Sequence, residues 1–187
     1  MSATLTTETP PGSTNILPLR QRKFDLLILT FFFINILFIT YVVDLEQLVI
    51  SNPYHYSPPI WPPAFALRII HSYGSHYDPL LMARPVWWKA TIWIDALLFG
   101  PFYVVGIYAF IKGKHWIRLP GIIYASVMMT NVTIILSEEI WGPHATPHLG
   151  IVLADNAPWL IVPLLIIIRM WPSDRPFCRS FLTRSAP

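Results

Sequence analysis

Acidic side chains lie in or beside the long apolar stretches of this chain: Asp44, Asp78, Asp95, Glu138, Glu139 and Asp155. A carboxylate facing hydrocarbon is costly unless it is protonated or paired, so such residues mark counter-ions, proton-transfer groups or helix-pairing contacts. Asp95 is the deepest. It follows Val86 by nine residues, about 13 Å along a helix. The nearest basic residue on its own segment, Lys89, is six positions away and out of helical reach. Asp95 is therefore either a neutral acid bonded locally, to Thr91 one turn back, or a group met by another helix or a ligand. Aromatic residues surround these positions: Trp93, Phe99, Phe102, Tyr103 and Trp159. Carboxylates among aromatic faces suit a cationic amphiphile, with the acid as counter-charge and the rings as apolar and cation–π surface. Asn131 and Asn156 lie within the third and fourth apolar stretches, where the roles to weigh are interhelical hydrogen bonding and pocket lining. The plainer reading of Asp44, Glu138 and Glu139 is a solvated helix end, and for Glu139 that reading is preferred.

Other chemistries lack their residues. His144 and His148 have the i, i+4 spacing of a helical metal pair, but Pro143 and Pro147 oppose a helix there, so no metal site is assigned. No phosphate-binding glycine loop, nucleophile elbow or nucleotide motif is present, and neither catalytic residues nor a cofactor is assigned. A formal charge of +3 is too small to argue for nucleic acid. The single cysteine, Cys178, excludes an internal disulfide. It follows the last apolar stretch, a position where palmitoylation is conceivable and a bystander thiol is the preferred reading.

The elements that must position the acids follow from hydropathy. Of 187 residues, 54% are hydrophobic and 12% charged, against about 25% charged in soluble domains. Four stretches reach the ~20 residues a spanning helix needs: Phe24 to Val43, Val86 to Ile111, Leu119 to Trp141 and Ile151 to Trp171. The first ends in Tyr41-Val42-Val43-Asp44 rather than a small-residue cleavage site, so it reads as a retained helix. Gly100-Pro101, Pro158 and Pro163 mark expected kinks. Basic residues precede the first stretch (Arg20, Arg22, Lys23), separate the second and third (Lys112, Lys114, Arg118) and end or follow the fourth (Arg169, Arg175, Arg179, Arg184), while the other side has Arg68, Arg84 and Lys89 and nothing basic between the third and fourth. This alternation predicts four crossings with both termini cytosolic. Trp87, Trp88, Trp116, Trp141 and Trp171 stand where interfacial anchors belong. The proline-rich segment Leu45 to Pro85 is expected to fold as a cap over the outer mouth, with a short helix near Phe65 to Tyr73 carrying Phe65, Ile69 and Ile70 on one side. The chain thus reads as an all-α four-helix transmembrane bundle: a disordered tail over 1–19, a membrane domain over 20–172 and a tail over 173–187.

Several motifs, in order from about Phe24 to Trp171, carry a resemblance. They are Val43-Asp44-Leu45, Tyr77-Asp78-Pro79-Leu80-Leu81, Pro85-Val86-Trp87-Trp88-Lys89, Tyr108-Ala109-Phe110-Ile111-Lys112-Gly113, Trp116-Ile117-Arg118-Leu119-Pro120-Gly121-Ile122-Ile123-Tyr124 and Ala157-Pro158-Trp159-Leu160-Ile161-Val162-Pro163. With them the chain resembles the EXPERA domain and, within it, the sigma-2 receptor family (transmembrane protein 97 and its fungal relatives). That resemblance implies an endoplasmic reticulum protein, often a homodimer, whose cavity opens toward the bilayer and takes sterols or cationic amphiphiles. Asp44 and Asp78 match the family's two signature aspartates. Asp95 stands for its second-helix glutamate, Asn131 for a cavity threonine and Trp159 for a cavity tyrosine.

Three departures accompany the match. Phe99 replaces a glutamine one turn after the second-helix acid, Ile36 stands near the place of a first-helix histidine, and no lysine-rich tail follows the last stretch. The related sterol isomerases supply an alternative. Asn156-Ala157-Pro158-Trp159 is similar to their fourth-helix motif, and Glu138 adds an acid to the third stretch, but Thr91 occupies the place of their second-helix histidine. A third alternative is a membrane adaptor whose acids only pair helices. The expected ligand-binding set is Asp44, Asp78, Asp95, Phe99, Asn131, Glu138, Asn156 and Trp159.

Overall fold

The computed structural model describes residues 16–178. Four of its helices are long and apolar enough to cross a membrane: α1 (Lys23–Val49), α4 (Val86–Lys112), α5 (His115–Trp141) and α6 (Leu149–Met170). Two shorter helices, α2 (Ala64–His76) and α3 (Pro79–Ala83), form the cap between α1 and α4. Among the described residues no β-strand occurs; Ile16 and Cys178 form one isolated antiparallel bridge.

Apolar burial alone cannot hold spanning helices together, because lipid is as apolar as the side chains; packing and polar contacts must do it. Phe32 of α1 is the hub of the packing. Its ring is fully buried among Phe102, Tyr103 and Phe110 of α4 and Tyr124 of α5, at centroid distances of 5.8, 5.5, 5.8 and 5.9 Å. The most extensive helix–helix contact is between α5 and α6.

The polar contacts concentrate at the two ends. At the end of the bundle where the described chain begins and ends, Asp25 is fully buried and accepts from Arg22 Nη1 at 2.8 Å and Arg169 Nε at 3.0 Å. Arg22 also donates to the Phe110 carbonyl at 2.8 Å. Both guanidinium groups lie over the Phe177 ring, 5.0 and 5.7 Å from its centroid. Leu17 N donates to Phe177 O at 3.0 Å. Both ends of the described chain therefore meet on one face of the bundle, as an even number of crossings requires. Gly113, the left-handed cap of α4 at φ 64°, packs under them: a Cβ there would lie 2.5 Å from Ile16 Cγ2. Ile16 and Leu17, which fall within the tail expected over 1–19, make contacts here. Residues 1–15 and 179–187, which include Arg179 and Arg184, lie outside the described residues.

Two spanning helices widen into π-helical turns. In α1 the stretch is Asn35–Asp44, and the Asn35 side chain opens it by donating to Phe31 O at 2.8 Å, a bond that competes with the backbone ladder. In α4 it is Asp95–Phe99, just ahead of Pro101, which has no N–H to continue the ladder. The chain breaks again at Pro158 in α6, while Pro163 is carried within the helix. In the cap, Ala66, Leu67 and Ile70 of α2 turn inward, whereas Phe65 and Ile69 face outward. The single apolar side expected for Phe65, Ile69 and Ile70 is therefore two sides, because the inward stripe meets Leu81 and Met82 of the cap itself.

Asp25→Ala strands two arginines whose shared carboxylate is gone, and is expected to destabilise the fold by about 3–5 kcal/mol. Thermal unfolding of the detergent-solubilised protein checks this, and Asp25→Asn, which keeps the acceptor oxygen, should lose less.

Candidate functional site

The widened turns of α1 and α4 lie against each other and place two acids together. Asp44 closes the α1 stretch and Asp95 opens the α4 stretch. Asp44 is buried, Asp95 is half-buried, and the two carboxyls come into hydrogen-bonding contact. Such a bond needs a proton on one of them. Thr40, one turn before Asp44 and fully buried, donates its hydroxyl to Asp95 Oδ1 at 2.8 Å. Thr91, the expected local partner, instead donates to Trp88 O at 2.8 Å; Asp95 points across to α1 rather than back along its own helix. Gly100 makes this closeness possible. A Cβ there would stand 2.9 Å from Tyr41 Oη and 3.2 Å from Thr40 Cγ2.

An aromatic relay adjoins the pair. Asn35 is fully buried, and its Oδ1 accepts from Trp159 Nε1 at 2.9 Å and from Tyr103 OH at 3.4 Å. Tyr124 OH donates to Tyr103 OH at 3.3 Å, and Phe99 packs its edge on Tyr124 at 5.1 Å. Trp159 and Phe99 are thus both in the bundle core, Trp159 also making an edge contact with Phe31 at 6.0 Å. Asn35 and Thr40 are the polar residues that the sequence reading missed, and Tyr103, expected there only as an aromatic wall, also takes part in the hydrogen bonding. Asn35 adjoins Ile36, where a polar side chain had been found lacking, and Thr40 stands four residues before Asp44; helical spacing from Asp44 was the available signal.

The remaining acids do not join this pair. The acids that the sequence sets among aromatic rings resolve into separate partnerships. Asp78 caps α3 by accepting from Leu81 N at 2.9 Å, with Pro79 preset at the first helical position. It also meets Glu139 in hydrogen-bonding contact. Glu139 is only 1% exposed, and apart from the Asp78 carboxyl no hydrogen-bonding group among the described residues reaches either of its carboxyl oxygens. The solvated helix end preferred for Glu139 is therefore overturned, because the cap and the loop after α5 cover it. Thr146 closes that loop, donating N–H to Glu139 O at 2.9 Å and its hydroxyl to Tyr77 O at 2.5 Å. Burial holds the Asp78 carboxyl above the ordinary carboxylate range, against the lowering effect of its bonds to Glu139 and to the α3 backbone, and the nearby Asp155 charge raises it further. Tyr73 donates to Asp155 Oδ2 at 2.7 Å; burial first, and then this acid, hold its hydroxyl above the ordinary tyrosine value.

Glu138 is taken by His144, whose Nδ1 lies 2.6 Å from Oε1 and whose N–H donates to the same oxygen at 3.2 Å. Asn156 donates to Val152 O of its own helix at 2.9 Å. Asn131 is half-buried, seven residues and hence two turns from Tyr124.

A buried ionic clamp that the sequence reading did not single out ties the cap to α1. Arg84, in the left-handed region at φ 49°, donates Nη2 to both oxygens of Glu46 at 2.8 and 3.0 Å and Nη1 to Ile50 O at 2.8 Å. His71 Nε2 lies 2.7 Å from Glu46 Oε1. Beside the clamp a half-open cavity of about 490 Å³ is lined by Tyr54, Gly74, Met82, Arg84 and Lys89 among others, and none of the expected site residues lines it. Among the described residues no group of three or more His, Cys, Asp or Glu is placed to hold a metal.

The family model described as EXPERA (EXPanded EBP superfamily) matches residues 65–170. The chain is similar to Sigma intracellular receptor 2 of Xenopus tropicalis, 31% identical over 156 residues that cover 78% of this chain and 86% of that protein. It is similar to Sigma intracellular receptor 2 of Homo sapiens at 28% identity over 157 residues, covering 76% and 85%.

The position of Asp78 predicts a pH dependence. A carboxyl that holds its proton more tightly when folded contributes stability that is complete below its unfolded value, ordinarily 3.8, and lost as pH rises through the folded value. Asp78→Asn keeps a capping acceptor and carries no charge. Melting midpoints from about pH 4 to about pH 8 should therefore fall less steeply for the variant than for the wild type.

Proposed function

The chain belongs to the EXPERA (EXPanded EBP superfamily) family, and from that premise we propose that it binds sterols or cationic amphiphiles within its bundle, as an endoplasmic reticulum membrane protein with both termini cytosolic. The observation that carries this reading is the Asp44–Asp95 pair set among aromatic side chains between two widened helices. Widened turns are common at functional sites because they free backbone groups and re-aim side chains. A pair sharing one proton presents one negative charge in an apolar bundle, a counter-charge for an ammonium or a bond partner for a hydroxyl. Phe99, Tyr103, Tyr124 and Trp159 supply apolar and cation–π surface. The name of these relatives, Sigma intracellular receptor 2, accords with a binding role.

The other expected site residues take different parts in this proposal. Asp78 holds the cap over the mouth through α3, and Asn131 lines the bundle on the Tyr124 face. Glu138 and Asn156 serve structure, since His144 and the α6 backbone already engage them. That leaves the isomerase alternative without its third-helix acid. A role in sterol homeostasis or in protein and lipid traffic, and a homodimeric state, accompany the reading as parts of the same proposal.

Equilibrium binding of radiolabelled sterols and cationic amphiphiles to the purified protein tests it. Asp44→Asn and Asp95→Asn should each weaken a cationic amphiphile by about 10- to 100-fold, the value of a charge-assisted hydrogen bond of ~1.5–3 kcal/mol, and weaken an uncharged sterol less. Mass spectrometry of the bound sterol should return it unchanged. A shifted double bond would make the protein an isomerase, and no saturable binding to any panel member would leave the adaptor.

A further inference from the structure

The outer face of the cap is apolar where a cap standing in water would be polar. Phe65 and Ile69, one turn apart on α2, are 59% and 62% exposed. The chain just ahead of α2 adds Ile60 at 103% and Trp61 at 50%. These side chains are spare to the fold, since α2 already buries Ala66, Leu67 and Ile70 on its opposite side.

Both ends of this apolar row are fastened to spanning helices. At one end Trp61 Nε1 donates to the Tyr41 carbonyl at 2.6 Å. Tyr41 lies in the widened stretch of α1, three residues before Asp44, and is itself exposed on the bundle surface beside Phe38 and Leu37. At the other end Tyr73, one turn beyond Ile69, donates to Asp155, six residues into α6, about 9 Å along that helix. Both acceptors belong to helices long and apolar enough to cross a bilayer, and the row between them lies beside the exposed apolar surface of α1. Arg68 is exposed beside Ile69, while the Asp155 carboxylate at the far end of the row is engaged by Tyr73. A long basic side chain flanking an apolar strip is the arrangement that places a cation at headgroup level while its neighbours enter the acyl region. A tryptophan with its N–H bonded and its ring exposed is at home at the same depth.

We propose that Ile60, Trp61, Phe65 and Ile69 form an apolar blade by which the cap dips into the leaflet on its own side of the bilayer, between α1 and α6, with Arg68 against lipid phosphates. The blade is a membrane contact in its own right and holds whether or not the acid pair binds a ligand. Its place beside Tyr41 sets it at the membrane-side approach to Asp44.

Site-directed spin labelling tests it. Single cysteines replace Ile60, Phe65 or Ile69 in a Cys178→Ser background, and the full chain is labelled with a nitroxide and reconstituted in phosphatidylcholine vesicles. Leu37→Cys serves as the lipid-facing reference and Ser57→Cys, in the exposed cap, as the aqueous one. All are surface positions, so the variants retain the core. Labels at 60, 65 and 69 should collide more with oxygen than with a water-soluble nickel chelate, as at 37, with the reverse at 57. Arg68→Glu should shift the label at 69 toward the chelate. Labels at 60, 65 and 69 that behave as at 57 would overturn the proposal. So would labels shielded from both reagents, which would mean that protein, a second copy or a partner, covers the row.

Discussion

Two carboxyl groups that meet inside an apolar bundle constrain everything around them. Neither can be left bare in hydrocarbon, and each is a poor neighbour for the other unless a proton lies between them. The structure brings Asp44 and Asp95 together by three devices in the sequence: a widened turn at each acid, a glycine at the crossing, and a threonine whose hydroxyl completes the bond set. Asn35 opens one wide turn and Pro101 ends the other. Gly100 then lets α1 and α4 close to a distance that a larger residue would prevent. The aromatic relay through Tyr103, Asn35 and Trp159 carries the same helices into register with α5 and α6.

The bundle is fastened at both ends by buried charge. The arginine–aspartate knot at Asp25 holds α1, the end of α4 and the end of α6. At the opposite end the Glu46–Arg84–His71 clamp and the Asp78–Glu139 contact hold the cap to α1 and to α5. Buried ion pairs add little net stability but penalise every arrangement that breaks them. They fit a molecule whose helices have no hydrophobic reason to prefer one another. The middle of the bundle, between the knots, is where the acids and aromatic rings are free of that duty.

How much of this was legible follows from what periodicity can report. The four spans could be read because hydrocarbon thickness sets their length, and Asp95 stood out because no basic residue on its own helix could answer its charge. The partner was another matter. Thr91 and Thr40 are equally good hydroxyls on paper, and only the crossing at Gly100 decides between them. Glu139 reads like any acid at a helix end, since a cap contributed by residues more than sixty positions earlier leaves no mark beside it. Phe65, Ile69 and Ile70 looked like one apolar side because a helix with two apolar faces, one inward and one outward, has no clean period. The family resemblance pointed to Asp44, Asp78 and Asp95, and it passed over Asn35, Thr40, Glu46 and Arg84, whose roles come from contacts between helices.

The central claim is that the Asp44–Asp95 pair carries a shared proton and answers a bound cation. Infrared difference spectroscopy of the protein with and without a cationic amphiphile addresses it directly, through the C=O stretch of a protonated carboxyl. The account predicts that this band shifts or loses intensity when the amphiphile binds, and that the change disappears in Asp95→Asn. An unaltered carboxyl band on saturable binding would place the cation elsewhere and contradict it.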